Sequence, residues 1–409
     1  MKIYLCLLLC VSSLGAFSAD IPEIVNDPFP SGKVTLTFEE DLRIGPDSDD
    51  DHLIWSGSLI TCEVNSKGHM FIVDNGGNRV LEFDPKGKFL RQIGGEGQGP
   101  GEFQKLYSFQ IMADDSAIAF DNTQNTITVS HFDAAMNFKK RTPNMVSGKF
   151  MQSLRFSRDG NWAASLWITF ADKKVHTGIL DSKMNPKLAL THDNQVVFDP
   201  SRAGDPAFWE GFLAAWFKIP ARGAGVFGFG WDGTVYTAIN NHYEITRYDA
   251  EMKPNLVVNR KYKRILRTDE HLEAVVQPVY DELMSLMSGV DFLTPALVRR
   301  AIVKADLPPA KPPVYAIFPM EDGYFIVVHD YDAVTGKVTG DIFDKNGQFA
   351  GVTELPKIPI NIFSGMFGGP TKLIFRNGYA YGMREEEGDL YMVRYKTKMT
   401  VNGKVHAAR

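Results

Sequence analysis

Two kinds of tight turn alternate along this chain, and they constrain its fold more than any other feature. The first kind joins two apolar stretches through pairs such as Asp-Gly or Asn-Gly, which tolerate the positive φ angles of hairpin turns. Its six copies are Ser66-Lys67-Gly68, Asp114-Asp115-Ser116, Arg158-Asp159-Gly160, Trp231-Asp232-Gly233, Glu321-Asp322-Gly323 and Arg376-Asn377-Gly378. The second kind is an apolar residue followed by Asp, whose carboxylate accepts hydrogen bonds from backbone N–H groups further along the turn. Its copies are Phe83-Asp84, Phe132-Asp133, Leu180-Asp181, Tyr248-Asp249 and Phe343-Asp344, with Tyr395-Lys396 in the sixth position.

The stretches between these turns have the alternation of half-buried strands, for example over residues 70–73 and 80–83. Each repeat therefore predicts a four-stranded antiparallel sheet. One such sheet cannot bury both of its faces, whereas six sheets around a common axis can. The predicted fold is all-β, a six-bladed β-propeller of four-stranded antiparallel blades, formed by residues 20–409 as a single domain.

The N-terminal segment KVTLTFEEDLRIG, residues 33–45, ends like GKFLRQIG, residues 87–94, which is a predicted fourth strand. It precedes every first strand, so we expect it to be the outer strand of the last blade. Such a strand closes the ring and removes exposed sheet edges.

Residues 71–103, FIVDNGGNRVLEFDPKGKFLRQIGGEGQGPGEF, resemble an NHL-type repeat of the exported bacterial six-bladed propellers. The matching positions, in the family's order, are Asp74, Asn78, Arg79, Phe83, Gly87 and the Gly-Glu-Phe ending. The second copy, residues 121–125, lacks the arginine. The glycine-rich stretch IGGEGQGPGEF, residues 93–103, follows a fourth strand and precedes a first strand, whereas phosphate-binding glycine loops open a helix. It is therefore predicted to connect two blades.

The first 19 residues have one positive charge, a short apolar run and a small-residue exit near Ser18 and Ala19, which is typical of a secretory signal peptide. A lipid anchor at Cys10 is the alternative, but the bulky Leu9 before it fits that processing poorly. No run is long enough to predict a transmembrane helix. We therefore expect an exported protein, periplasmic or secreted. The formal net charge of −5 disfavours nucleic-acid binding.

Long insertions at residues 193–215, 260–312 and 357–370 all fall in connections from a fourth strand to the next first strand. In a propeller these connections and the second-to-third corners emerge on one face, so that face is the predicted binding face. Residues 266–306 are predicted to be helical. Thr268 is an expected N-cap, an apolar stripe follows from Leu272 to Leu286, and a second helix begins at Thr294-Pro295. This helical insertion is either a lid over the central opening or a structural element whose stripe is only core.

Candidate ligand-binding residues lie at the second-to-third corners and in the aromatic insertion. Carboxylates and amides at such corners can hold Ca²⁺, and histidines can bind a transition metal, although the same residues also cap turns. Aromatic side chains can stack on sugars or cement the insertions to each other. The basic run 259–264 is either a solvated flank or a site for an anion such as a glycan acid or lipid head group. The candidates are Asp74, Asn75, Asp121, Asn122, Asn241, His242, His329, Asp330 and Trp209.

Two functions are compatible with these features. The first is a binding module without a cofactor, for a protein, peptide or glycan ligand. The second, implied by the resemblance alone, is a metal-dependent (Ca or Zn) hydrolase or lyase of the six-bladed propeller type. The metal-binding motifs of such enzymes do not match this sequence residue by residue, and no Gly-x-Ser-x-Gly nucleophile motif is present. A widely reused fold does not by itself assign function, and the binding module is preferred.

Overall fold

Six antiparallel sheets follow one another along the chain in the order of the sequence repeats, and together they form a six-bladed β-propeller. The computed structural model describes residues 21–46, 61–123, 126–142, 149–169, 174–193, 200–202, 204–221, 223–286, 293–357 and 373–406. The predicted signal peptide and the lipid-anchor candidate Cys10 lie outside these residues.

Within each blade the strands run outward from the axis in chain order. Two strands precede the blades, β1 (Glu23–Asn26) and β2 (Val34–Ile44). Blade 1 contains β3 (Thr61–Val64), β4 (Met70–Asp74), β5 (Arg79–Phe83) and β6 (Phe89–Gly94). Blade 2 contains β7 (Leu106–Ile111), β8 (Ala117–Thr123), β9 (Thr126–Phe132) and β10 (Phe138–Thr142). Blade 3 contains β11 (Lys149–Phe156), β12 (Trp162–Thr169), β13 (Lys174–Asp181) and β14 (Pro186–Asp193).

The second half of the ring carries the helices. Helix α1 (Pro206–Ala221) precedes blade 4, which contains β15 (Gly225–Phe229), β16 (Val235–Ile239), β17 (Glu244–Tyr248) and β18 (Pro254–Arg260). Helices α2 (Asp269–Ala274), α3 (Val276–Leu286) and α4 (Pro295–Ala305) precede blade 5, which contains β19 (Ala316–Pro319), β20 (Phe325–Asp332), β21 (Lys337–Phe343) and β22 (Phe349–Leu355). Blade 6 contains β23 (Ile374–Arg376), β24 (Tyr379–Glu386) and β25 (Asp389–Val401), and β26 (Lys404–His406) pairs with the end of β25.

The second turns of the repeats are built as their sequence predicts. In five blades the turn Asp accepts hydrogen bonds from the backbone N–H groups two and four residues further on, over N···O distances of 2.8–3.1 Å. These residues are Asp84, Asp133, Asp181, Asp249 and Asp344. One local carboxylate thus reverses the chain between the third and fourth strands of each of these blades.

The N-terminus closes the ring, which confirms the prediction for residues 33–45. Strand β2 is the outer strand of blade 6 and pairs antiparallel with β25, from Val34 opposite Val401 to Ile44 opposite Met392. The core between blades 6 and 1 includes Ile44, Cys62 and Tyr381, so the ring is also continuous in its packing.

A second N-terminal pairing was not expected from the sequence. Strand β1 runs parallel to β18, and it adds a fifth strand to blade 4. The Asn26 side chain then donates to the carbonyl of Gly347 at 2.9 Å and accepts from the N–H of Phe349 at 2.8 Å, which ties blade 4 to blade 5. Four residues in register carry too little pattern to predict such a pairing.

The helical insertion begins and ends as predicted. Thr268 caps α2 by accepting from the N–H of His271, and Thr294 caps α4 with Pro295 in its first turn. Helix α1 was missed, because its sequence PAFWEGFLAAWFKIPA is apolar on nearly every side and has no clear stripe. Trp209 and Phe217 of α1 pack with Val298 and Ile302 of α4 and with Leu166 of blade 3 in one core. The apolar faces of α1 and of the helical insertion are therefore core.

Candidate functional site

The two faces of the disc differ in what they carry. Helices α1 to α4 lie in connections from a fourth strand to the next first strand, and α1 packs against α4. We call this side the insertion face, and the opposite side, which carries the two kinds of tight turn, the turn face. Residues 358–372, most of the third predicted insertion, lie outside the described residues.

On the turn face, side chains from the blades meet at the axis in what we call the axial cluster: Glu63, Asp115, Arg158, Trp231, Glu321 and Arg376. The Trp231 ring of blade 4 lies between the guanidinium of Arg158 from blade 3 and that of Arg376 from blade 6, 4.0 and 3.7 Å from its centroid. Blades 3 and 6 are opposite each other in the ring, so a ring touched by both must cross the axis.

Carboxylates neutralise the arginines of this cluster. Arg158 forms a 2.7 Å salt bridge with Glu63, and Arg376 lies 3.5 Å from Asp115 and 4.0 Å from Glu321. All six blades are therefore represented at one point on the axis. The axial cluster fills the mouth of the ring on the turn face.

On the insertion face, the seam between blades 4 and 5 contains the seam cluster: Tyr243, Arg260, Tyr262, His329 and Asp341. Asp341 is fully buried in β21, and its Oδ2 accepts hydrogen bonds from Arg260 Nη1 and from the Tyr243 hydroxyl. The Arg260 guanidinium also lies over the Phe349 ring, 4.2 Å from its centroid. Burial holds the pKa of Asp341 above its ordinary value, although His329 and Arg260 act in the opposite direction.

His329 completes the seam cluster. Its Nε2 lies 3.4 Å from Asp341 Oδ1, while its backbone carbonyl accepts from the Tyr262 hydroxyl at 3.2 Å. Burial lowers the pKa of His329, so the ring is mainly neutral at pH 7. Its neighbour Asp330 accepts from the buried Lys311 ammonium at 2.9 Å. The seam thus joins two predicted candidates, His329 and Asp330, to an ionic network.

The other candidates lie in different surroundings along the ring. Asp74 binds the N–H of Gly77 and the guanidinium of Arg79. Asp121 accepts from the N–H groups of Gln104 and Lys105, and Asn75 donates to the carbonyls of Leu106 and Tyr107, so both hold the connection that enters blade 2.

Asn122 lies in β8 opposite Ile127. Asn241 and His242 form the corner between β16 and β17, where His242 is exposed. Trp209 is buried in the core shared by α1 and α4. This position favours a role in packing the insertions against each other over a role in stacking on a sugar ligand.

Sequence reasoning missed Arg260, Asp341, Tyr243 and Lys311 as parts of the site. Arg260 lies in the basic run 259–264, which was interpreted as a solvated flank or an anion site but not as a partner of a buried carboxylate. Asp341 had a usable signal, since an acidic residue inside the apolar strand GDIF implies a buried partner. The identity of that partner depends on the packing of blade 4 against blade 5.

Within the described residues, no three His, Cys, Asp or Glu side chains are grouped so that they could hold a metal ion. In the same part of the chain, no helix is both long and apolar enough to cross a membrane.

A family model described as a 6-bladed beta-propeller matches residues 48–153, which span blades 1 and 2. A search of curated proteins finds no match.

Among solved structures, a protein of Bacteroides fragilis described as a candidate exported protein is similar over 93% of this chain and 99% of its own, with 13% identity and a TM-score of 0.42. A member of a family of unknown function from Bacteroides vulgatus covers 89% of this chain and 99% of its own, with 10% identity and a TM-score of 0.46. A gluconolactonase of Xanthomonas campestris covers 87% and 98%, with 10% identity and a TM-score of 0.38. At such values the activities of these proteins do not transfer to this chain.

Proposed function

Since this chain is a six-bladed β-propeller, we propose that it is an exported binding module whose ligand, a protein, peptide or glycan, docks on the insertion face. The proposal includes removal of residues 1–19 on export and a single domain from residue 20 onward. The observation that carries it is the asymmetry of the disc. The axial cluster occupies the mouth on the turn face, whereas α1 to α4 and the seam cluster lie on the insertion face.

The seam cluster supports a recognition role. It gathers charged and aromatic side chains at the rim of the helical insertion, and the neighbouring Lys263 and Arg264 are exposed there. Binding surfaces combine a rigid support with polar groups that fix ligand orientation. The seam network and the helical core provide the rigid support, and the exposed basic residues provide complementarity for an acidic ligand.

The helical insertion is proposed to act as a fixed wall of this face. Among the described residues, its apolar stripe packs against α1 and blade 3, so that stripe is already buried and is not available to close over the central opening. Deleting residues 268–306 would expose Trp209 and Phe217 of α1. We expect that deletion to cause aggregation of the whole chain.

The test is a glycan and peptide array probed with purified mature protein. The double variant Lys263→Glu with Arg264→Glu reverses two charges on the insertion face, and Lys183→Glu with Lys187→Glu does the same on the turn face, where both lysines are exposed. Array hits should be lost in the first variant and kept in the second. Loss in the turn-face variant alone would contradict the proposed face. Elemental analysis that finds stoichiometric Ca or Zn would instead favour the metal-dependent enzyme.

A further inference from the structure

The helical insertion joins the ring through a short neck, which we define as residues 265–267 and 309–311. The two sides of the neck are paired by backbone hydrogen bonds, from Arg267 N–H to the Pro309 carbonyl at 2.8 Å and from Lys311 N–H to the Ile265 carbonyl at 2.7 Å. The neck therefore fixes the first residues of α2 relative to the start of blade 5.

Three side chains beside this neck have buried polar atoms without hydrogen-bond partners among the described residues. They are the two ring nitrogens of His271, the hydroxyl of Tyr315 and the Nε of Arg267. His271 and Tyr315 are 3% and 7% exposed. Buried polar groups are nearly always hydrogen-bonded in native proteins, so three of them in one place indicate a molecule or ion that completes the site.

Arg267 is close enough to the other two groups to affect their pKa values. The charge of Arg267 contributes to lowering the pKa of His271 and acts on the pKa of Tyr315. Arg267 Nη1 donates to the Pro308 carbonyl, which anchors the guanidinium at the neck. The unpartnered polar atoms therefore lie around the neck, with Arg267 in it, His271 in α2 and Tyr315 directly before the first strand of blade 5.

Arg267 has no direct counter-ion, because no described carboxylate forms a salt bridge with it. Of the two nearby carboxylates, Asp330 is engaged by Lys311, whose Nζ lies 2.9 Å from Asp330 Oδ1, and Asp332 accepts from the Val334 N–H and the Thr335 hydroxyl. Arginine stays protonated at neutral pH. A guanidinium N–H, a phenol O–H and an imidazole N–H are all donors, and their common complement is an oxyanion.

We propose that Arg267, His271 and Tyr315 bind a single oxyanionic group, carboxylate or phosphate, at the neck of the helical insertion. This rests on the proposed function, because it assigns the anionic group of the ligand to the insertion face. Arg267 supplies the charge, and Tyr315 and His271 each donate one hydrogen bond. Lys311, held by Asp330, adds a second positive charge nearby.

The experiment is isothermal titration of the mature protein with inorganic phosphate and with glucuronate, at constant ionic strength, with glucose as the neutral probe. Either anion should bind and raise the melting temperature, and glucose should not. Arg267→Gln should weaken binding by roughly ten- to hundredfold and Tyr315→Phe by about tenfold. Lys183→Gln removes an exposed lysine of the turn face and should leave the affinity unchanged.

Several outcomes would overturn the proposal. If neither anion binds at millimolar concentration, the three side chains do not form an anion site. If Arg264→Gln weakens binding as much as Arg267→Gln, the anion binds the exposed basic run instead. Tyr315→Phe keeps the test valid if Arg267→Gln fails to fold, which its circular dichroism would reveal. If Arg267→Gln still binds the ligands found on the array, the binding module stands and only the assignment of this anion site fails.

Discussion

Arg158 reaches past blade 2 to form a 2.7 Å salt bridge with Glu63 of blade 1, and both side chains are buried. The same Nη1 donates to the carbonyl of Ile111 in blade 2. One guanidinium thus joins three consecutive blades at the axis and supports the Trp231 ring that fills the turn-face mouth.

Removing one partner of this pair should be more costly than removing both. Arg158→Met leaves the Glu63 carboxylate buried without its counter-ion, and the free energy of unfolding should fall by about 3–5 kcal/mol. The double variant with Glu63→Gln should recover part of this loss. Urea denaturation measures both. Arg43→Met, which removes an exposed partner of Glu40, is the control and should cost at most about 1 kcal/mol. A double variant no more stable than Arg158→Met would refute the pairing.

The ring closure depends on a glycine beside the N-terminal strand. A Cβ at Gly351 of blade 5 would lie 2.1 Å from the Val34 carbonyl oxygen of β2. Gly351→Ala should therefore displace β2 and cost about 1–3 kcal/mol. Thermal melts should show the loss, and limited proteolysis should cut the N-terminal segment faster. Gly211→Ala in α1 meets nothing within 4 Å and should be neutral or slightly stabilising. Equal behaviour of the two variants would argue against the clash.

Asp121 is expected to matter for stability and not for ligand binding. Its buried carboxylate accepts from the N–H groups of Gln104 and Lys105, which hold the chain entering blade 2. Asp121→Ala leaves these donors unsatisfied and should lower stability by about 1–3 kcal/mol. Melting curves measure the loss, and array binding of the folded variant should match wild type. Loss of binding at unchanged stability would make Asp121 a ligand residue.

His271 should make the protein less stable in mild acid. Burial, with Lys311 and Arg267, lowers its pKa to about 4, while Asp332 and Asp330 act in the opposite direction. The unfolded chain binds the proton near the ordinary value of 6.5, so the stabilisation is complete above about pH 6.5 and is lost as the pH falls towards 4. As the pH is lowered over this range, the denaturation midpoint should fall less steeply in His271→Gln than in wild type. His242→Gln changes an exposed histidine and should keep the wild-type slope. An unchanged slope in His271→Gln would contradict the prediction.

The sequence identified some residues of the seam cluster and its surroundings, but it did not predict which of them are in contact. His329 and Asp330 were identified because the sequence predicted them at a corner between strands, where function often lies, although the structure places both inside β20. Arg260 and Asp341 were not paired, because 81 residues and the helical insertion separate them in the chain. Their contact exists only because blade 4 packs against blade 5.

The amino-acid sequence alone determined the blades, their order and the ring closure. Turn chemistry acts over two to four residues, as the carboxylates of Asp84 and Asp344 show, so it can be recognised without knowing the rest of the molecule. The tertiary structure decided which charges meet at the axis, which polar atoms at the neck stay without partners, and where β1 pairs. Those contacts depend on distances between blades, and a pattern along one strand carries no information about a side chain that approaches from another blade.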